Sequence, residues 1–435
     1  MANPSSPTTR ATARQHLVSL LQTAIAAAQP AKCLPPHLPP VPAKGRLIVL
    51  GAGKAAAAMA RATEAHYAQL GTLARIGGVV TTRHGYALPT RTIEVLQSSH
   101  PIPDAASVDA ARRSLEMAAT ATPDDLVLVL LSGGASALWA APVEGVSLAA
   151  KQALTRQLLR SGAPIDDMNI VRKHLSRIKG GRLALAAAAA PMVTLAISDV
   201  IGDDPATIGS GPTVGDPTTL TQAREVLRRR RISPSPEIAA ALELAANESP
   251  KPADACFRRG SYKIIAAARQ SLEAARAAAE ASGFKVQMLG EAIEGEAREV
   301  AAEHAAIALA ARQRGERVLL MSGGELTVTL KGNGTGGRNQ EYALALAMHL
   351  NGATGVSAIA AGTDGADGGT GAADDPAGAL IDETTLLRAR HLNLNSAMFL
   401  ENNDSGGFFS SLGDLVVTGP SQTNVNDFRA ILVES

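Results

Sequence analysis

The chain has 435 residues, with 41 Lys plus Arg against 40 Asp plus Glu and only 3% aromatics. That length exceeds one ordinary hydrophobic core and calls for two domains or more, with cores resting on Ala, Leu, Val and Ile. A formal charge of +1 excludes a global attraction to nucleic acid or an anionic membrane, so any anion binding must be local.

The opening stretch MANPSSPTTRATARQ is rich in Ser and Thr and poor in acid. It reads as a frayed tail before a first helix, with a transit peptide as the rarer alternative; no apolar segment beside it directs secretion. Short β-rich runs then alternate with longer helical ones. Strands are predicted at 46–50, 77–81, 93–97, 126–131, 192–198, 262–267, 285–289, 317–321, 356–361 and 415–419. Ala-rich helices fall at 53–69, 105–119, 270–282 and 293–313. The strands are apolar on both faces or nearly so, which suits a parallel sheet covered by helices on both sides. The alternation is that of an α/β fold. Residues 196–217 form a long Gly-, Asp- and Pro-rich connection, which reads as functional. The polar stretch 247–260 is the favoured boundary within a window from 220 to 315. Cys33 and Cys256 stand far apart without metal-like spacing. This argues against a disulfide framework or a zinc site and fits a reducing cytoplasm. No purely apolar run reaches the roughly 18 residues needed to span a bilayer.

Several motifs carry chemistry. The run RLIVLGAGKAAAAMA takes a strand into Gly51-Ala52-Gly53-Lys54-Ala55-Ala56 and then a helix. This matches G-x-G-x-x-A in the context where backbone N–H groups approach a phosphate. It lacks the spacing of a Walker A loop. A dinucleotide site also wants an acid after the next strand, where the chain reads Thr81-Thr82-Arg83-His84-Gly85; Arg83 would suit a 2′-phosphate. Lys54 puts a full charge beside the anion position. The bland alternative is a tight turn that binds nothing. Ser132-Gly133-Gly134 follows another apolar strand and can form a nest of N–H donors, though a plain turn is as good a reading. A later strand also runs into Ser322-Gly323-Gly324, a shared design.

Arg172, Lys173, His174, Arg177, Lys179 and Arg182 crowd one segment with almost no compensating acid; a solvated basic face competes evenly with an anion site. Ser198-Asp199 closes a strand, at the edge where ligands bind in open α/β sheets. Asp199 is placed to hold Mg²⁺ or take a proton from a hydroxyl, whereas Asp203 and Asp216 read better as cap and turn residues. Gly, Ser and Thr dominate 322–337, ahead of Arg338-Asn339-Gln340-Glu341 at a helix start. A Gly-rich loop delivering Arg to a helix N terminus is an anion-binding design, with a flexible hairpin as the alternative; Glu325 is a plausible metal or hydroxyl partner. Asp364 and Asp367 follow a strand as Mg²⁺–phosphate sites require, without the pattern of an EF-hand. Thr418-Gly419-Pro420 and Asn424 form a last polar, Gly-rich region.

Taken together, these stretches resemble the class II glycerate kinases with a MOFRL-type C-terminal domain. The resemblance rests on GAGKAAAAMA, SSHPIPD, LSGGASAL, NIVRKHLSRIKGGRLA, SDVIGDDPATIGSGPT, SGGELTVTLKGNGTGGRNQE, GTDGADG and NNDSGGFFSSLGDLVVTGPSQTNVND, in family order from residue 13 to 430. It implies a larger Rossmann-like three-layer N-terminal domain at 10–250, a smaller C-terminal α/β domain at 315–430, and a connecting α/β segment at 251–314. It also implies ATP-dependent phosphorylation of D-glycerate at the 2-hydroxyl, giving 2-phosphoglycerate and ADP. Lys54 and Arg338 match the family's catalytic cations, and Asp199 is added to them. Gly51, Gly53, Ser132, Gly133, Gly134, Lys179, Gly332, Gly334, Gly336 and Gly337 are candidate ATP contacts, and Asp364 and Asp199 candidate Mg²⁺ ligands. Members are also labelled hydroxypyruvate reductases within tartrate breakdown, so NAD(P)H-dependent reduction to D-glycerate is the alternative; it explains the first motif alone and leaves Gly332–Arg338 idle. Expected partners are D-glycerate and ATP, with no nucleic acid and no membrane, in the cytoplasm; a homodimer is left open. The chain departs from the family at GPSQTNVND and at Asp374-Asp375-Pro376, both in loops.

Overall fold

A computed structural model of the chain describes residues 7–369 and 374–434. The first residues of the Ser/Thr-rich tail and part of the Asp364 motif (370–373) lie outside the described residues. The chain divides into two units, residues 30–265 and residues 1–29 with 266–435.

The first unit is built on a six-stranded sheet: β1 (Leu47–Ala52), β2 (Ile76–Arg83), β3 (Ile93–Ser98), β4 (Leu126–Leu131), β5 (Met192–Ile197) and β6 (Gly260–Ala266), in the order β3-β2-β1-β4-β5-β6. The pairs β3–β2, β2–β1, β1–β4 and β4–β5 are parallel. This is the doubly wound order, and it reverses direction between β1 and β4. Ile48, Leu50 and Ala52 pack with Val127, Val129 and Leu131 on one face, with Ala110, Ala111 and Ala118 of the 105–119 helix. The intervening Leu47, Val49, Leu128 and Leu130 are also fully buried. Strand side chains alternate between faces, so burial on both sides explains why these strands read as continuous apolar runs. Helices 148–160, 165–174, 220–229 and 236–243 gather round Leu158, Val171, Leu227 and Ile238 as a separate cluster.

The second unit has its own sheet: β7 (Lys285–Ile293), β8 (Val318–Gly324), β9 (Val356–Gly362), β10 (Gly378–Ile381), β11 (Leu415–Val416) and β12 (Asp427–Val433), in the order β11-β10-β9-β12-β8-β7. Here the expected parallel pairing holds for β7–β8 only. β12 lies between β8 and β9, antiparallel to both, and β10 is antiparallel to β9 and β11. The segment DFRAILV carries an acid and an arginine, which hides a central strand from a reading based on apolar runs. Val318, Leu320, Ala358, Ala360, Ile431 and Val433 face the 297–313 and 338–350 helices. Leu319, Met321, Ile359, Ala430 and Leu432 face the other way.

That second face is covered by the 268–281 helix and by the N-terminal helix Pro7–Ala27, through Leu17, Leu20 and Leu21. Each such leucine contributes roughly 1.5–3 kcal/mol by burial. Arg14 donates to Asp382 at 2.7 Å and to Asp414 at 2.5 Å. The first helix and residues 266–314 thus belong with the second sheet, a division cut differently from 10–250, 251–314 and 315–430. Among the described residues no helix is long and apolar enough to cross a membrane.

Candidate active site

In the first unit the reversal between β1 and β4 puts two loops side by side. They are tied to each other: Lys54 N–H donates to the Gly133 carbonyl at 2.9 Å, Ser132 N–H to the Ala52 carbonyl at 3.1 Å, and Ala55 N–H to Ser132 Oγ at 3.0 Å. Gly53 sits at φ +136°, and a Cβ there would lie 2.0 Å from Ser132 Oγ. A Cβ on Gly51 would lie 2.7 Å from the Leu130 carbonyl oxygen. Both glycines are therefore explained by the neighbouring strand and loop. Two N–H groups that a dinucleotide loop would offer to pyrophosphate are used internally. The loop instead contributes a side chain. A Cβ on Gly134, at φ +86°, would lie 3.0 Å from His100 Cδ2 and 3.6 Å from Lys54 Cγ. Lys54, His100 and Gly134 thus meet at the switch point, where open α/β sheets bind ligands. His100 lies within the SSHPIPD run on the loop after β3 and carries no role by local pattern, because Lys54 and Gly134 are remote from it along the chain.

The basic segment resolves into two sets. Lys173 approaches buried Asp216 at 3.6 Å, and buried His174 pairs with Glu248 at 3.1 Å. Arg182 donates to the carbonyls of Lys173 and Asn247. Arg177 is exposed and donates to the Pro142 carbonyl. Asp216, read as a turn former, is a buried charge partner; Lys173, first among its neighbours to offset the cost of burial, holds its carboxyl below the usual range. Lys179 is in the other set. It is 2% exposed, and its Nζ donates to the Ser136 carbonyl at 2.6 Å and to Ser136 Oγ at 2.8 Å. Burial, together with nearby Arg172 and Lys151, pushes it well below the ordinary lysine range. Lys151, a lone lysine on an amphipathic helix, gave no signal in the sequence. Asp199 follows β5 directly, so it stands at the same sheet edge as Ser132, one strand over.

In the second unit the Gly-rich loop is stitched down. Lys331 and Gly332 N–H donate to Asn403 Oδ1, Asn333 N–H to Asn402 Oδ1, Gly334 N–H to the Asn402 carbonyl and Thr335 N–H to Asp404 Oδ1. Added Cβ atoms on Gly332, Gly334 and Gly336 would lie 2.3, 2.3 and 2.4 Å from Asn402, Asp404 and Ser405. On Gly337 a Cβ would lie 2.4 Å from Asp367. These glycines let one loop lie against the Asn402–Ser405 backbone, so the donors at 331–335 are already spent.

Arg338 is likewise held. Its Nε and Nη2 grip Asp427 at 2.8 and 3.0 Å, and Nη1 reaches Glu325 at 2.7 Å. Asp367 caps the 338–350 helix, accepting from the backbone N–H groups of Asn339 and Gln340 at 2.9 and 2.8 Å and from both amide side chains. Burial raises its carboxyl to about 6, with Asp427 adding to the shift. Asp367 is thus committed to the helix and parts from Asp364, whose Oδ1 accepts from Ala366 N–H in its own turn. Arg429, 1% exposed, donates to Ser322 Oγ and Gly323 and stacks 5.7 Å from the Tyr342 ring. Asp427 and Arg429, the hub of this network, sit on the strand that the sequence reading missed. Among the described residues, no group of three or more His, Cys, Asp or Glu side chains could hold a metal ion.

One unit carries a doubly wound sheet with a lysine at its switch point, and the other is an α/β unit with a carboxylate-held arginine at a helix start; the chain is a two-domain α/β protein. A family model described as a domain of unknown function (DUF4147) matches residues 16–243, and that of the MOFRL family matches 318–427. A D-glycerate 2-kinase of Thermotoga maritima is 38% identical over 88% of this chain and 89% of its own length. A protein of Agrobacterium vitis, provisionally named a hydroxypyruvate reductase, is 47% identical over 97% of this chain and 94% of its own. The crystal structure of a glycerate kinase from Thermotoga maritima superposes with a TM-score of 0.84 at 36% identity, covering 97% of this chain and 99% of that one. The chain belongs to this glycerate kinase family, with its DUF4147 and MOFRL domains.

Proposed function

We propose that the protein is a D-glycerate 2-kinase, which transfers the terminal phosphoryl group of ATP to the 2-hydroxyl and releases 2-phosphoglycerate and ADP. The observation that carries this reading lies at the switch point. The loop after β1 gives two of its N–H groups to the Ser132–Gly133 loop and contributes the Lys54 side chain instead. A dinucleotide reductase needs the opposite: open N–H groups and an acid after β2, where Arg83 ends the strand. Phosphoryl transfer needs positioned cations.

In this reading Lys54 of the first unit stabilises charge on the transferring group, and in the second unit Arg338, oriented by Asp427 and Glu325, is the other candidate catalytic cation. The hydroxyl oxygen forms the new bond to phosphorus as the bond to ADP breaks, and the hydroxyl proton passes to an acceptor. A loose transition state asks little of that base. Mg²⁺ bound with nucleotide phosphates needs only one or two protein carboxylates. Asp199 fits that demand at its strand end, and Asp364, which also follows a strand, is the other candidate. Bound there, the ion would neutralise phosphate charge. The test is direct: incubation with D-glycerate and ATP-Mg should yield ADP and 2-phosphoglycerate, while hydroxypyruvate with NADH or NADPH should leave the nicotinamide unchanged. Nicotinamide oxidation without ADP would overturn the assignment in favour of the reductase.

A further inference from the structure

Three cations of the first unit stand without a carboxylate partner among the described residues. Lys151 and Lys179 are 8% and 2% exposed. Lys151 Nζ donates to the Leu175 carbonyl at 2.8 Å, at the C terminus of the 165–174 helix. Lys179 Nζ spends two donors on Ser136. Arg172, on the last turn of that helix, is half-buried, and its five donors find no hydrogen-bond or ion-pair partner among the described residues. Arg172 acts on both lysines: burial, then Arg172 and Arg182, push Lys151 down to about 7, and burial, then Arg172 and Lys151, push Lys179 well below the ordinary lysine range. The nearby acids are engaged elsewhere, Asp216 by Lys173 and Glu248 by His174 and Lys251. The cluster is also anchored. Ser136 Oγ meets Ser210 Oγ at 2.9 Å, and Ser210 Oγ donates to Asn169 Oδ1 at 3.2 Å, one turn before Arg172.

Uncompensated buried charge is costly, and the usual remedies are a paired acid or a bound counter-ion. Here no carboxylate among the described residues forms an ion pair with any of the three, the nearby ones being held by other cations. A monocarboxylate would neutralise one of the three cations, whereas a phosphate group brings about two charges and several acceptor oxygens to spread over them. We infer that Lys151, Arg172 and Lys179 form an oxyanion subsite that takes a phosphate group, with Arg172 as the residue that contacts it. Resting on the kinase reading, the source is either the nucleotide's phosphates or the phosphorylated product.

Calorimetry of the intact protein with inorganic phosphate, ATP and 2-phosphoglycerate tests this, comparing wild type with Arg172→Gln and Arg172→Lys. Arg172 holds no protein group, so Arg172→Gln should melt at or above the wild-type temperature in phosphate-free buffer. It should lose at least tenfold in affinity for inorganic phosphate, and Arg172→Lys should lose less. A parallel loss for ATP assigns the subsite to the nucleotide; a parallel loss for 2-phosphoglycerate assigns it to the product. Wild-type phosphate affinity in Arg172→Gln, or no phosphate, ATP or 2-phosphoglycerate binding by the wild type, would overturn the subsite. The two claims fail separately. Arg172-dependent phosphate binding without glycerate phosphorylation sinks the kinase reading alone, and phosphorylation with unaltered phosphate affinity in Arg172→Gln sinks the subsite alone.

Discussion

Replacing Gly53 by Ala separates two explanations of the glycine-rich turn after β1. If the glycine serves a bound phosphate, Ala should leave the empty protein intact and weaken only the ligand. The packing predicts otherwise. The new Cβ would lie 2.0 Å from Ser132 Oγ, 2.5 Å from the Ser132 carbonyl oxygen and 2.7 Å from its carbon, at φ +136°. Backbone strain at such an angle costs about 1–3 kcal/mol, and forcing an extra methyl into a filled site costs about 1–3 kcal/mol more. The expected loss is therefore about 2–6 kcal/mol in the ligand-free protein, a fall in melting temperature on the order of 10 °C for a unit of this size. A double variant that also carries Ser132→Ala should recover only part, because the carbonyl contacts and the φ angle remain. Chemical denaturation without ligand, followed in the 30–265 unit, measures this. A ligand-free Gly53→Ala protein within about 0.5 kcal/mol of wild type would refute the packing argument and restore the phosphate-loop explanation.

Lys54→Ala should keep the fold and lower glycerate-dependent ADP formation by about 10²–10³-fold, the scale for removing one charge-stabilising group; near-normal turnover removes Lys54 from the site. Arg338→Ala should do two things at once. Beyond lost turnover, it leaves buried Asp427 with Arg429 at 3.4 Å as its remaining charged partner, so stability should fall by about 2–3 kcal/mol, the lower range because the Arg338 side chain is 33% exposed. Arg338→Lys should recover charge but not the two-pronged grip, which denaturation midpoints will show. His304 gives a pH signature. Burial, with Arg429 nearby, lowers it to about 4, and its Nδ1 lies 2.8 Å from the Tyr342 hydroxyl. A depressed folded value means that its contribution is present above the unfolded value of about 6.5 and is lost as pH falls from there to about 4. That shift is worth about 3 kcal/mol. Urea midpoints across this window should fall for wild type and flatten in His304→Asn; an equal fall in both would exclude His304 as the cause.

Much of the molecule was legible in the residues themselves. The strands of the first sheet, the α/β class, the turn at Gly51–Ala56 and the family all followed from local pattern, because a strand buried on both faces must be apolar along its length and a strand-to-helix turn must use small residues. What lay beyond the sequence depends on which segments become neighbours. Nothing local in DFRAILV announces a central strand, and without it neither the Asp427–Arg338 grip nor the buried Arg429 can be foreseen. The first helix could not be assigned to a sheet formed by the last third of the chain. The glycines show the same division. Composition marks Gly53 and Gly332–Gly337 as places where something comes close, but only the tertiary structure decides that the close neighbours are Ser132 and Asn402–Ser405. Likewise the basic run at 172–182 advertises charge, while the acids that engage Lys173 and His174, and the lysine at 151 that adds to the rest, come from elsewhere in the chain. Charge balance is a sum over neighbours in space, and a sequence lists neighbours only along the chain.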